Sequence, residues 1–100
     1  MKCSSLEEVR NNIDRIDDSI IKLIAERTEY VKQAAAFKKN EAGVKAPDRV
    51  EAVIKNVREK AEKYGAPQDI AETVYRNMIS GLIGMEISEF NKKSGGNNND

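Results

Sequence analysis

The chain has 100 residues, 34% of them charged and 39% hydrophobic, with 17 basic side chains against 17 acidic ones. This amounts to one domain without the basic excess of a nucleic-acid binder, and no stretch approaches the ~18 apolar residues of a membrane-spanning helix. The absence of histidine and the single cysteine, Cys3, exclude a structural zinc site and histidine-based acid–base chemistry, and no glycine-rich phosphate loop occurs.

Charges resume at Glu7, so no secretory leader is expected, and a lone cysteine fits a reducing cytoplasm. Ser4 or Ser5 caps a first helix, with Glu7 and Glu8 in its first turn. Apolar residues then recur at Leu6, Val9, Ile13, Ile16, Ile20, Leu23-Ile24, Val31 and Ala34-Ala35, without glycine or proline. This spacing predicts one helix from Ser5 to Lys39, roughly 50 Å long. A compact monomer of this size has a radius of gyration of only about 13 Å, so such a helix calls for a second chain to cover it. Residues 40–46 read as a loop, marked by Gly43 and closed by Pro47, which suits the first turn of a second helix. That helix carries Val50, Val53-Ile54, Val57 and Ala61 and stops at Gly65. A third begins near Pro67-Gln68 and carries Ile70, Val74-Tyr75, Met78-Ile79, Leu82-Ile83, Met85-Glu86 and Phe90. Gly81 and Gly84 interrupt it, through close helix approach, a ligand or plain tolerance. Residues 1–92 thus form the helical domain, and 93–100, polar and rich in glycine and asparagine, a disordered tail. The expected fold is all-α: a three-helix chain with one very long N-terminal helix, intertwined with a second copy.

The informative feature is the cations on the apolar faces. Arg27 lies between Ile24 and Val31, and Lys38 follows Ala34-Ala35. On one continuous helix these two point the same way, about 16 Å apart. Arg10, between Val9 and Ile13, is about 25 Å from Arg27, too far to share a small ligand within one chain. Antiparallel long helices in a two-fold dimer bring Arg10 of one chain to the Arg27–Lys38 pocket of the other. Arg49, at the start of the second helix, returns to the same pocket. Taken singly, each cation is ordinarily expected to snorkel into water. As a set with few acids on the same faces, they call for a bound anion, because unpartnered buried charge is costly and arginine grips a carboxylate bidentately.

The ordered set Val9-Arg10, Ile13-Asp14-Arg15-Ile16-Asp17, Ala25-Glu26-Arg27, Lys38 and Asp48-Arg49-Val50 resembles the AroQ, all-helical class of chorismate mutases, over about residues 6 to 90. The resemblance implies an intertwined helical homodimer without cofactor or metal. It also implies a dicarboxylate site in which Arg10 of the partner chain and Arg27 of its own each hold a substrate carboxylate. Lys38 then donates to the ether oxygen of the breaking C–O bond, and Arg49 sits near the ring hydroxyl. Glu86 falls where the family usually has a glutamine directed at that ether oxygen.

Three departures stand out. Val50 replaces a glutamate that recognises the ring hydroxyl, Ala46 replaces an aspartate, and Leu82 stands where a serine near a carboxylate is often found. The runs Tyr30-Val31-Lys32, Phe37-Lys38 and Ala46-Pro47-Asp48-Arg49-Val50 look closer to the branch containing isochorismate-pyruvate lyase. Both reactions are pericyclic and need neither nucleophile nor metal. The expectation is a cytoplasmic chorismate mutase acting in aromatic amino-acid biosynthesis. Its alternatives are isochorismate-pyruvate lyase, giving salicylate and pyruvate, and a non-catalytic helical dimer that senses a metabolite.

Overall fold

In the computed structural model the backbone is described for residues 2–98, with the side chains of all of these but Phe90 and residues 93–98. Among the described residues there are helices and no strands: α1 (Leu6–Ala35), α2 (Glu41–Lys45), α3 (Pro47–Tyr64) and α4 (Gln68–Asn98). The all-α expectation is borne out. The chain divides into two compact units, Met1–Gln33 and Ala34–Asp100.

The first unit is built on α1. Ser5 caps it, its hydroxyl accepting from the Glu8 amide at 3.1 Å while the Glu8 carboxylate accepts from the Ser4 amide at 2.9 Å. One first-turn donor and the amide just before the cap are thereby satisfied reciprocally, close to a capping box. Leu6, Val9, Ile13, Ile16, Ile20 and Leu23 alternate by three and four positions, the seam of a helix made to pack against another helix. None of the residues of α1 is buried, and Ile13 and Leu23 are 51% and 62% exposed.

In the second unit α3 packs along α4, and α2 packs on α4 as well. Ile54, Val57 and Ala61, on one face of α3, form the core with Val44 of α2. The facing stripe of α4 is half-buried: Ala71-Glu72, Tyr75, Met78-Ile79, Leu82-Ile83 and Glu86-Ile87 recur at helical spacing. Gly65 ends α3 at φ 74, and the Ala66 amide reaches back to the Ala61 carbonyl at 2.8 Å, which satisfies a terminal acceptor.

Two sequence expectations are corrected. The first helix does not run to Lys39. The amides of Phe37 and Lys38 bond three residues back, to the carbonyls of Ala34 and Ala35, so the helix tightens and ends. Nor are residues 40–46 a plain loop. Asn40, in extended conformation, accepts from the Gly43 amide at 2.8 Å and caps the short helix α2. Ala46 then links α2 to α3 in the left-handed region, φ 35 and ψ 62. A Cβ built on Gly81 or Gly84 meets nothing within 4 Å, so no close approach among the described residues accounts for these glycines. Of the tail expected at 93–100, Asn99 and Asp100 and the side chains of 93–98 lie outside the described residues, and helical backbone continues to Asn98.

Candidate active site

The connection between α1 and α2 and the buried stripe of α4 meet at Lys38 and Glu86. Lys38 Nζ stands 3.9 Å from Glu86 Oε2. That distance is within ion-pair range but beyond a hydrogen bond. The Glu86 side chain is only 9% exposed and that of Lys38 27%. Oε2 of Glu86 is buried and has no hydrogen-bond partner among the described residues. A buried acceptor without a hydrogen-bond donor is uncommon, because desolvating it costs about 1–3 kcal/mol. The pair is therefore poised to engage something further.

Local structure explains how a lysine outside the long helix reaches this point. With α1 ended at Ala35 and α2 begun at Asn40, Lys38 occupies the connection between them. Gly43 of α2 lies against its stem: a Cβ built there falls 3.6 Å from Lys38 Cβ and 3.8 Å from Lys38 Cδ. Sequence reasoning treated Gly43 as a loop marker and missed this support. Asparagine followed directly by a glutamate was the available signal for a helix start.

Among the other expected site residues, Arg49 lies in the first turn of α3 and is exposed. Arg10 and Arg27 both belong to α1, in the first unit; Arg10 is exposed and Arg27 half-buried. Lys38 is not on α1, so the continuous helix expected to align it with Arg27 ends before reaching it. Of the five residues, the second unit brings Lys38 and Glu86 together.

A second charged cluster joins α3 to α4. Arg76 Nη1 and Nη2 donate to the two carboxylate oxygens of Glu51 at 2.8 and 2.9 Å, and its Nε donates to Glu72 at 2.7 Å. Arg58 Nη1 donates to Glu72 at 2.8 Å and to Asp69 at 3.0 Å. The hydrogen bond from Arg76, then that from Arg58, holds the Glu72 carboxyl below the usual glutamate range, and Arg76 does the same to Glu51. Its members pair with one another at the surface, so the cluster fixes α3 against α4. Among the described residues no group of three or more His, Cys, Asp or Glu side chains is placed to hold a metal ion, and no helix is long and apolar enough to cross a membrane.

Residues 9–87 match the family model described as chorismate mutase type II. The chain is 33% identical over 93 residues to isochorismate pyruvate lyase of Pseudomonas aeruginosa, which covers 93% of this chain and 92% of that protein. It is 32% identical over 76 residues to chorismate mutase of Methanocaldococcus jannaschii, covering 74% and 76%. A third relative, the bifunctional chorismate mutase/prephenate dehydratase of Aquifex aeolicus, is 33% identical over 85 residues; the match takes in 81% of this chain but 24% of that protein.

Proposed function

The chain belongs to the chorismate mutase type II family, and from that premise we propose that it is a chorismate mutase, an isomerase that converts chorismate to prephenate in aromatic amino-acid biosynthesis. The match of the family model across residues 9–87 carries the reading. The reaction breaks the ether C–O bond and forms a C–C bond within one molecule, so no atom is gained or lost and no nucleophile is needed. The enzyme's part is to hold the enolpyruvyl arm over the ring and to stabilise the charge that builds on the ether oxygen.

In this reading Lys38 donates to the ether oxygen, and Glu86 is directed at the same oxygen, to which it donates only when protonated. The unsatisfied buried oxygen of Glu86 beside the Lys38 amine supports that pairing of roles. Arg27 and Arg10 bind the two carboxylates, and Arg49 lies near the ring hydroxyl. Arg10 belongs to a second copy of the chain, whose α1 covers the apolar seam from Leu6 to Leu23. The absence of any buried residue in α1 supports this, since one helix stripped of a partner exposes a large apolar surface. Residues 1–92 are then the domain, completed by intertwining with its copy, and the enzyme works in the cytoplasm without metal or cofactor.

A second reading is isochorismate-pyruvate lyase on the same scaffold. It is favoured by the similarity to the Pseudomonas protein over nearly the whole of both chains. Chorismate and isochorismate differ in where the ring carries its hydroxyl, and this chain has the apolar Val50 where mutases carry an acceptor. One experiment tests both: incubation with chorismate and with isochorismate, following prephenate and salicylate. Prephenate from chorismate is the expected outcome. Salicylate without prephenate would establish the lyase instead, and neither product would overturn the enzymatic reading.

A further inference from the structure

We infer that Arg76 and Glu51 are positioning residues: their bidentate pair clamps the uncapped first turn of α3 onto α4 and so sets where Arg49 meets the ligand. The inference rests on the chorismate mutase reading, in which Arg49 lies near the ring hydroxyl, and extends it to two residues of the α3–α4 cluster.

The chain itself holds this turn weakly. Ala46 is the N-cap of α3 and makes no side-chain cap hydrogen bond, whereas Ser5 caps α1 and Asn40 caps α2. Ala46 also carries the disfavoured left-handed backbone, φ 35 and ψ 62, just before the turn begins. Packing adds little: Pro47, Asp48 and Arg49 are exposed, Val50 is half-buried, and the buried residues of α3 begin only at Ile54.

The hold comes from α4. Nε of Arg76 donates to Glu72 at 2.7 Å, within the same helix, and its two terminal nitrogens meet both carboxylate oxygens of Glu51 at 2.8 and 2.9 Å. A guanidinium gripped at three nitrogens is a rigid fork, so the pair fixes direction as well as distance. Glu51 and Arg58 lie two turns apart on one edge of α3, and Arg58 is tied to Glu72 and Asp69 of α4. Arg49 lies two positions before Glu51, toward the opposite side of the helix. A helix pinned along one edge resists rolling, and the side chain on its far side is thereby aimed. Without Glu51 the later turns stay pinned by Arg58, while the turn bearing Arg49 is released. An exposed ion pair contributes little to stability, so its loss should act on that aim more than on folding.

The test is steady-state kinetics, with whichever of chorismate and isochorismate the wild type converts. A contact to the ring hydroxyl is made in substrate and transition state alike, so its loss weakens binding rather than rate. Arg49→Ala should raise KM by about tenfold and Glu51→Ala by about fivefold, both with kcat within about twofold of wild type. The double variant Arg49→Ala/Glu51→Ala should be no worse than Arg49→Ala alone, because Glu51 acts through Arg49. Arg76→Lys keeps the charge but loses the fork, and should match Glu51→Ala. Glu51→Gln retains one acceptor oxygen and should recover part of the KM. Arg58→Ala loosens the other end of the same interface, and should lower the urea midpoint while leaving KM unchanged. An unchanged KM in folded Glu51→Ala would overturn the inference. So would effects of Glu51→Ala and Arg49→Ala that multiply in the double variant, or an equal rise in KM for Arg58→Ala, the mark of general loosening. Should Glu51→Ala fail to fold by circular dichroism, Glu51→Gln and Arg76→Lys carry the same comparison. An unchanged KM in Arg49→Ala would overturn the placement of Arg49 and the inference together. A folded wild type that converts neither substrate would overturn the mutase reading itself, an outcome distinct from turnover that is indifferent to Glu51.

Discussion

Asn40 Oδ1 accepts the Gly43 amide at 2.8 Å, and this cap turns the chain into α2 immediately after Lys38. The lysine's position is thus set by a helix start that it does not belong to, and by Gly43 against its stem. Asn40→Ala should destabilise α2 by about 1 kcal/mol, the usual loss for a cap. Because Lys38 then loses its support, kcat should fall with little change in KM. Asn40→Asp or Asn40→Ser, which restore the acceptor, should recover both. An Asn40→Ala enzyme with lowered stability but unchanged kcat would reduce Asn40 to a structural cap.

Lys38→Ala should cost on the order of 10²–10³ in kcat, the usual scale for removing one preorganised donor to a developing oxyanion. Its charge is worth more once the ether oxygen turns negative than in the ground state, so the loss falls on the rate more than on binding. Lys38→Arg keeps the charge but shifts it, and recovers only part of the rate. Steady-state kinetics within twofold of wild type for Lys38→Ala would remove Lys38 from the mechanism.

The helices were legible where one physical rule dominated. Pro47 and Gly65 bound α3 in sequence as in structure, because one is pre-shaped for a first turn and the other for the left-handed stop. Glu86 was placed near the apolar side of its helix by spacing alone, and it lies on the half-buried stripe of α4. The end of α1 was illegible because no glycine or proline marks it; the chain leaves the helix through two three-residue-back hydrogen bonds and a cap beyond. Gly43 misled because glycine is read as a breaker, whereas here it sits inside a helix, beside a lysine. The Arg58–Glu72–Arg76 cluster was also missed. Its Glu72–Arg76 arm has the four-residue spacing that sequence can suggest, but Glu51 and Asp69 join only through the packing of α3 on α4.

Mixing Arg10→Ala and Lys38→Ala chains, each inactive alone, should restore activity, since one of the two sites in the heterodimer then carries neither change. Light scattering should report a dimer at micromolar concentration for each protein. Absence of recovery after proven subunit exchange would assign Arg10 to its own chain's site, and a stable folded monomer would sink the composite site altogether.

Ala46 holds φ 35 and ψ 62, a conformation that its Cβ disfavours, and Pro47 restricts it further. Ala46→Gly removes the Cβ clash, while the greater freedom of glycine in the unfolded chain offsets part of the gain. A net gain of about 1 kcal/mol is expected, read as an increase in the urea midpoint at fixed protein concentration. A lower midpoint would mean that the strain at Ala46 is absent in solution.

The charged cluster makes stability depend on pH with a definite sign. Glu72 accepts from Arg76 and Arg58, and those hydrogen bonds lower its carboxyl from the usual 4.5. A group whose folded value is depressed contributes stability that is fully present above the unfolded value and is lost as pH falls through the folded one. Glu72→Gln should therefore be less stable than wild type at pH 7, because Arg76 and Arg58 lose a charged acceptor, and the gap should close as the pH falls below about 4.5. The cluster lies at the surface, with Glu51 64% and Asp69 95% exposed, so half-molar salt should also narrow the gap at neutral pH. Lowering pH removes charge from Glu51 as well, which makes Glu51→Gln the necessary second variant: its own gap should close in the same direction, since Arg76 depresses that carboxyl too. Urea unfolding of the three proteins at fixed concentration, from about pH 3 to 7, supplies the comparison. A wild-type to Glu72→Gln difference that stays constant across that range would show that the carboxylate's charge does not contribute to stability, and that the cluster holds α3 to α4 by hydrogen-bond geometry alone.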